Sequence, residues 1–143
     1  MDFARIIEFI GNHPILILAF AGTLGALFAS EITRRLNGTR SVGPVQATQL
    51  SNRENAVFLD TREDREYSDG HIPEAIHIPL KQLPERVTEL NKYKKLPIIA
   101  YCRSGNRSNG VGTILKKHGF ESVYNLGGGI TAWQSASLPV SKK

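Results

Sequence analysis

The chain holds a single cysteine, Cys102, among its 143 residues, so no intrachain disulfide can form and a cross-linked secreted scaffold is excluded. A structural zinc site falls with it, because no second thiol exists and the four histidines lack ligand-like spacing. No metal site is therefore expected. Acidic residues are scarce in the body of the chain. From Arg34 onward there are 17 basic and 10 acidic side chains, a surplus that favours small anions or an anionic membrane surface. Nucleic acid is not expected as a partner, since the basic residues are scattered and no aromatic-rich binding motif accompanies them. A G-x-S-x-G elbow is also missing: the stretch Gly105 to Gly110 contains Ser108 at the wrong spacing, and no serine triad is indicated.

What the chain does have is one long uncharged run. Between Glu8 and Glu31 lie 22 residues without a formal charge, Phe9 to Ser30. As a helix this span measures about 33 Å, against a hydrocarbon core of about 30 Å. We expect residues 1–36 to form an N-terminal membrane anchor crossing once over residues 9–30. Small residues recur along it at four-residue spacing (Ala21, Gly25, Ala29, and beside them Gly22, Ala26, Ser30), a stripe that admits a membrane-protein partner. Arg34, Arg35 and Arg40 follow the span, whereas Arg5 precedes it alone, with Asp2 and Glu8 nearby. Positive residues stay inside, so the expected location is a bacterial-type inner membrane with the C-terminal domain in the cytoplasm. The alternative is a signal peptide cut at Ala19-Phe20-Ala21, which would leave the domain periplasmic. The near-neutral start and the apolar run beyond that site weigh against it.

Asn37 to Ser41 reads as a short polar linker, and residues 42–140 as one domain of about 100 residues. Its pattern alternates short apolar runs with amphipathic stretches. Strands are expected at Val42–Val45, Ala56–Asp60, Ala75–Ile78, Pro97–Tyr101 and Ser122–Leu126. Helices are expected at Thr48–Arg53, Arg62–Tyr67 (ended by Gly70), Lys81–Asn91 and Ile130–Ser135. A further helix follows the cysteine loop, with Val111, Ile114, Leu115 and His118 on its inner face and Gly119 as its stop. The fold class is α/β, a parallel sheet flanked by helices on both faces and preceded by one transmembrane helix. Ligands of such sheets bind beyond the carboxyl ends of strands, and Cys102 stands at such an end.

The stretch Cys102-Arg103-Ser104-Gly105-Asn106-Arg107-Ser108 carries the chemistry. A sulfur atom where a strand hands over to a helix faces unpaired backbone N–H groups and the positive end of the helix, which favours the thiolate. Lowering a cysteine pKa by about two units requires roughly 2.7 kcal/mol. A helix terminus supplies about 0.3–2 kcal/mol, so hydrogen bonds and the two arginines must supply the remainder. Trp133 is expected in the core, and His71 is expected to cap or pack rather than act as a base.

Three segments together resemble the rhodanese-like domains. Asp60-Thr61-Arg62 followed by Tyr67 to Pro79 is similar to their N-terminal signature, Tyr101 to Ser108 to their active-site loop, and Tyr124 to Trp133 to their closing motif. Pro73-Glu74 and His77 depart from that signature, where glycine and asparagine are frequent. The resemblance implies a single-domain sulfurtransferase that carries sulfane sulfur as a persulfide on Cys102, with no metal or organic cofactor. Cys102 attacks the outer sulfur of a small anionic donor such as thiosulfate, and cyanide, a thiol or a protein cysteine then accepts the sulfur. Arg103, Ser104, Gly105, Asn106, Arg107 and Ser108 are the expected substrate-binding residues, and Asp60 and Arg62 the expected support for the loop. Arg107 binds the donor or only shapes the loop. The C-x4-R spacing of Cys102 and Arg107 resembles the sulfur-transferring members, whereas related phosphatases have C-x5-R. Two alternatives stand beside this reading: a membrane-tethered interaction module with little turnover, and a phosphatase or arsenate reductase.

Overall fold

The structure, a computed structural model, describes residues 11–37 and 39–142, the side chains of 33–37 excepted. It divides into two compact units between Asn37 and Gly38. The first is dominated by helix α1, Pro14–Asn37. Proline suits the opening turn, where its missing N–H has no intrahelical partner to lose. Within it, Pro14–Ile32 has a mean hydropathy of 2.0, and none of these residues is buried in the protein. These 19 residues measure about 28 Å as a helix, long and apolar enough to cross a membrane, although a signal sequence has the same character. Thr23 Oγ1 and Ser30 Oγ donate to the carbonyls of Ala19 and Leu27, so the hydroxyls in the apolar run are satisfied within the helix itself. Of the span expected over residues 9–30, residues 9 and 10 lie outside those described.

The second unit is a five-stranded sheet, all parallel, in the order β1-β5-β4-β2-β3. Its strands are β1 (Arg40–Val42), β2 (Val57–Asp60), β3 (Ile76–His77), β4 (Ile98–Tyr101) and β5 (Val123–Leu126). Side chains alternate across the sheet, which is why each central strand feeds two separate cores. On one face Phe58, Ile99, Tyr101 and Leu126 meet Ala47, Ile130 and Trp133 from helices α2 (Pro44–Glu54) and α6 (Gly129–Ser135). On the other, Leu59, Ile98, Ala100 and Val123 meet Leu83, Val87 and Leu90 together with Val111 and Leu115. Burying a Leu, Ile or Val contributes about 1.5–3 kcal/mol each, so continuous apolar strands rather than alternating ones are what this doubly covered sheet requires.

Several sequence expectations shift. Arg40 and Ser41, expected in a linker, begin β1 and pair with Tyr124 and Asn125, while Thr39 is buried and donates to the Asn109 carbonyl at 2.7 Å. Pro44 opens a helix, so the expected strand Val42–Val45 ends at Val42. Pro84 lies in the first turn of α4 (Leu83–Arg86), which moves its start beyond Lys81, and the remainder of the expected helix is a 3-10 segment, Val87–Tyr93. Helix α3 runs from Asp64 to Ser68, with the Glu66 carboxylate accepting the Glu63 N–H at its start. His118 is exposed rather than inward, because α5 (Val111–Lys117) ends one residue before it and Gly119, at φ +86°, turns the chain away. The domain also reaches beyond residue 140: the backbones of His71 and Ser141 pair.

Candidate active site

Cys102 is the first residue after β4 and has no exposed surface. Gly105 donates its backbone N–H to Cys102 Sγ at 3.2 Å, and Ser108 Oγ stands 3.5 Å from the sulfur. Burial pushes the Cys102 thiol up. The Ser108 hydroxyl and the backbone N–H groups of Ser108, Ser104 and Gly105 favour the thiolate, and the net displacement is downward. These donors are loop residues and one 3-10 turn, Arg107–Gly110, after which α5 supplies only seven residues. The helix expected after the loop is present as α5 but begins only at Val111, so the hydrogen bonds that reach the sulfur come from the loop and the 3-10 turn.

The loop can close this tightly because Gly105 adopts φ +88°, where a Cβ would stand 2.9 Å from the Leu126 carbonyl oxygen. Asn125 on β5 fastens it from below: its Nδ2 donates to the Gly105 carbonyl at 3.0 Å and its Oδ1 lies 2.6 Å from Ser108 Oγ. Ser108, expected on the substrate, is instead fully buried with its hydroxyl between Asn125 and the sulfur. From the other side the closing motif locks on. Ile130 N–H donates to the Cys102 carbonyl at 2.9 Å, and Thr131 donates through both its N–H and its hydroxyl to the Arg103 carbonyl. Gly129, at φ +56°, passes so close to these two carbonyls that no side chain fits.

Two arginines stand on the rim. Arg107 forms a bidentate ion pair with Glu66 of α3, at 2.8 and 3.1 Å. Its pKa is raised by the Glu66 carboxylate first, against the opposing effect of burial, and further by the Cys102 sulfur beside it. Arg103 and Asn106 are exposed, as is Ser104. Asp60 and Arg62 are brought together one strand away: Arg62 Nη2 reaches Asp60 Oδ2 at 2.6 Å and the Gly70 carbonyl at 2.7 Å, with both residues buried. Among the described residues neither forms a hydrogen bond or ion pair with the side chains of the loop. Their link to it is Tyr101, whose ring lies under the Arg62 guanidinium and whose hydroxyl, bonded to Asp60, accepts the Ile72 N–H at 3.1 Å.

His71 packs: its ring stacks on Tyr67 at 3.8 Å and its Nδ1 bonds the Tyr67 carbonyl. His77 stacks on the opposite side of Tyr67 and bonds the Arg62 carbonyl. Trp133 is core, edge-on to Phe58. Among the described residues no group of three or more His, Cys, Asp or Glu converges as metal ligands would. Sequence reasoning missed Glu66 and Asn125 as site residues. An asparagine inside the apolar strand Val123-Tyr124-Asn125-Leu126 was a usable signal, since a buried amide demands partners. Glu66 carried none, being 41 residues from the arginine it holds.

The family model for the rhodanese-like domain matches residues 44–136. The chain is 32% identical over 137 residues to the uncharacterized protein YibN of Escherichia coli (strain K12), covering 95% of this chain and 96% of that protein. It is 41% identical over 86 residues to the putative sulfurtransferase YtwF of Bacillus subtilis (strain 168), covering 60% of this chain and 81% of the relative. A rhodanese-related protein from Thermoplasma volcanium superposes with a TM-score of 0.65 at 27% identity, over 73% of this chain and 99% of its own. The chain belongs to the rhodanese-like domain family, and that membership supports a general role in sulfur transfer.

Proposed function

We propose that this protein is a membrane-anchored sulfurtransferase that carries sulfane sulfur as a persulfide on Cys102. The observation that carries the reading is the thiol itself, buried yet held acidic by the Ser108 hydroxyl and three loop N–H groups. In the first half-reaction the Cys102 thiolate attacks the outer sulfur of a donor such as thiosulfate. The sulfur–sulfur bond of the donor breaks, sulfite leaves with the electron pair, and Cys102 keeps a negatively charged persulfide. The N–H groups that favour the thiolate are placed to favour that anion too. Attack on the terminal sulfur by cyanide, a thiol or a protein cysteine returns the thiolate, a ping-pong cycle of nucleophilic catalysis. Arg103 meets the donor on the rim. Arg107 neutralises charge beside the sulfur while Glu66 fixes its position, a division of labour supported by the ion pair.

Helix α1 is the anchor in this reading, supported by the unburied apolar run Pro14–Ile32. Arg34, Arg35 and Arg40 after it favour a cytoplasmic domain at a bacterial inner membrane. The small-residue stripe leaves room for a membrane-protein partner.

The deciding experiment is the intact mass of the full-length protein in detergent after treatment with thiosulfate and, separately, with inorganic polysulfide. A gain of one sulfur atom that cyanide removes, and that Cys102→Ser lacks, is the expected result. No gain from either donor would overturn the proposal in favour of a tethered interaction module. Hydrolysis of an aryl phosphate or reduction of arsenate would overturn it in favour of the phosphatase or reductase reading.

A further inference from the structure

Ser108 offers the Cys102 sulfur both its hydroxyl and its backbone N–H, and it sits in the 3-10 turn Arg107–Gly110. The hydroxyl stands 3.5 Å from Sγ, a long contact that a small retreat of the turn would forfeit. Asn125 fastens Ser108 from β5. A second fastening comes from much earlier in the chain. Thr39 Oγ1 donates at 2.7 Å to the carbonyl of Asn109, the residue after Ser108 and 70 residues from Thr39. Asn109 is exposed and could give that carbonyl to water, whereas Thr39 is buried. Gly112 of α5 makes room for it: a Cβ there would stand 3.0 Å from both Cβ and Cγ2 of Thr39 and run into its hydroxyl. Thr39 also stands two residues beyond Asn37, the end of α1. The chain leaving that helix is therefore bonded to the Ser108 turn before it enters the sheet at Arg40.

We infer that Thr39 is a positioning residue for the active site: its hydroxyl holds the Asn109 carbonyl and so keeps the Ser108 hydroxyl and N–H on the Cys102 sulfur. The other groups around the sulfur have their own supports. Arg107 opens the same turn, but Glu66 of α3 holds its guanidinium separately. The Ser104 and Gly105 N–H groups precede the turn, and Asn125 holds the Gly105 carbonyl. A change at Thr39 thus falls on the Ser108 donors, which favour the thiolate, and their loss raises the pH at which the thiolate forms. The inference concerns the reactivity of Cys102, on which the sulfurtransferase reading also rests, and it is read without any sulfur donor.

The test is iodoacetamide alkylation of the full-length protein in detergent, followed by intact mass over a pH series. Cys102 is the one cysteine, so thiol alkylation reports it alone. Thr39→Val keeps the shape of the side chain and deletes the hydroxyl. Its alkylation midpoint is expected above that of the wild-type protein, with an unchanged limiting rate at high pH. At about pH 7 it should react about two- to tenfold more slowly, the range that one hydrogen bond spans. Thr39→Ser keeps the hydroxyl and the wild-type midpoint. Gly112→Ala displaces the hydroxyl without removing it and moves the midpoint as Thr39→Val does. A wild-type midpoint in Thr39→Val overturns the inference even where that variant melts earlier, since a merely structural role lowers only the thermal midpoint. A Thr39→Ser midpoint raised as far as that of Thr39→Val also overturns it, because methyl packing would then be the cause. Where Thr39→Val does not fold, Gly112→Ala decides, and an unmoved midpoint there overturns the inference. Such a failure leaves persulfide loading of the wild-type protein untouched, and a failure of loading leaves the alkylation profiles standing.

Discussion

Cys102 sits between two opposed effects, and the weaker-looking one wins. Burial without exposed surface opposes a thiolate, yet the Ser108 hydroxyl and three N–H groups reverse the displacement. The lowered pKa keeps the nucleophile charged over a wider range, and reactivity is lost only as the pH falls through the folded value. Alkylation of the folded protein should therefore reach half its limiting rate below about pH 8.5, the value for free cysteine. Ser108→Ala should move that midpoint upward, since it removes a hydrogen bond to a charged group, worth roughly 1.5–3 kcal/mol before solvent takes its place. A stopped-flow alkylation profile of both proteins checks it. Equal midpoints would mean that the backbone donors suffice. At this scale the candidates Cys102, Arg103 and Arg107 could be named from the sequence, because a lone thiol among glycine and arginine is a chemical oddity that sequence displays openly. Glu66 was not, because charge pairing across the fold leaves no local trace. The burial of Ser108 was not legible for a related reason: a loop serine looks the same in sequence whether it faces solvent or the core.

The loop is held by elements that arrive from three directions. β4 delivers Cys102, β5 delivers Asn125, and the start of α6 delivers the Ile130 and Thr131 donors. Gly129 is where the last two meet the first. Alanine there must adopt φ +56° and place a methyl group against the Cys102 and Arg103 carbonyls. A left-handed non-glycine residue costs about 1–2 kcal/mol before any collision is counted. Gly129→Ala should thus lower the thermal midpoint of the full-length protein in detergent and slow persulfide formation, both read on the same preparation. A full-rate, fully stable variant would mean that α6 can retreat from the loop. Apolar runs made β2, β4 and β5 readable to within a residue or so. Helix ends were less so, since Pro44, Pro84 and Gly119 set them through backbone geometry rather than through periodicity. The departure at Pro73-Glu74 has a visible cost. Glu74 takes φ +61°, a conformation that a glycine would adopt freely.

On the scale of the whole chain, a rhodanese-like domain follows a helix whose apolar run, Pro14–Ile32, contains no buried residue. Such a helix in water leaves Ile15, Leu18 and Phe28 exposed, a state that only a bilayer or a partner relieves. The full-length protein should remain with the membrane pellet after alkaline carbonate extraction, and its intact mass should still include residues 1–37. Release of the chain, or a mass beginning after Ala21, would favour the cleaved leader. The parallel α/β class and its two covered faces followed from alternating apolar and amphipathic segments. The strand order did not, because β1 is too short and too polar to announce a partner 84 residues away, the separation of Arg40 and Tyr124.

That separation is also a delay. Ribosomes add about 5–20 residues per second, so β1 waits roughly 4–17 s after its synthesis before Tyr124 exists to pair with it. Cys102 emerges during this interval, ahead of Asn125 and of the Ile130 and Thr131 amides. Until those arrive the growing chain carries an ordinary thiol with ordinary acidity. The arrival of Asn125, Ile130 and Thr131, and not the appearance of the cysteine, is the moment at which its chemistry switches on.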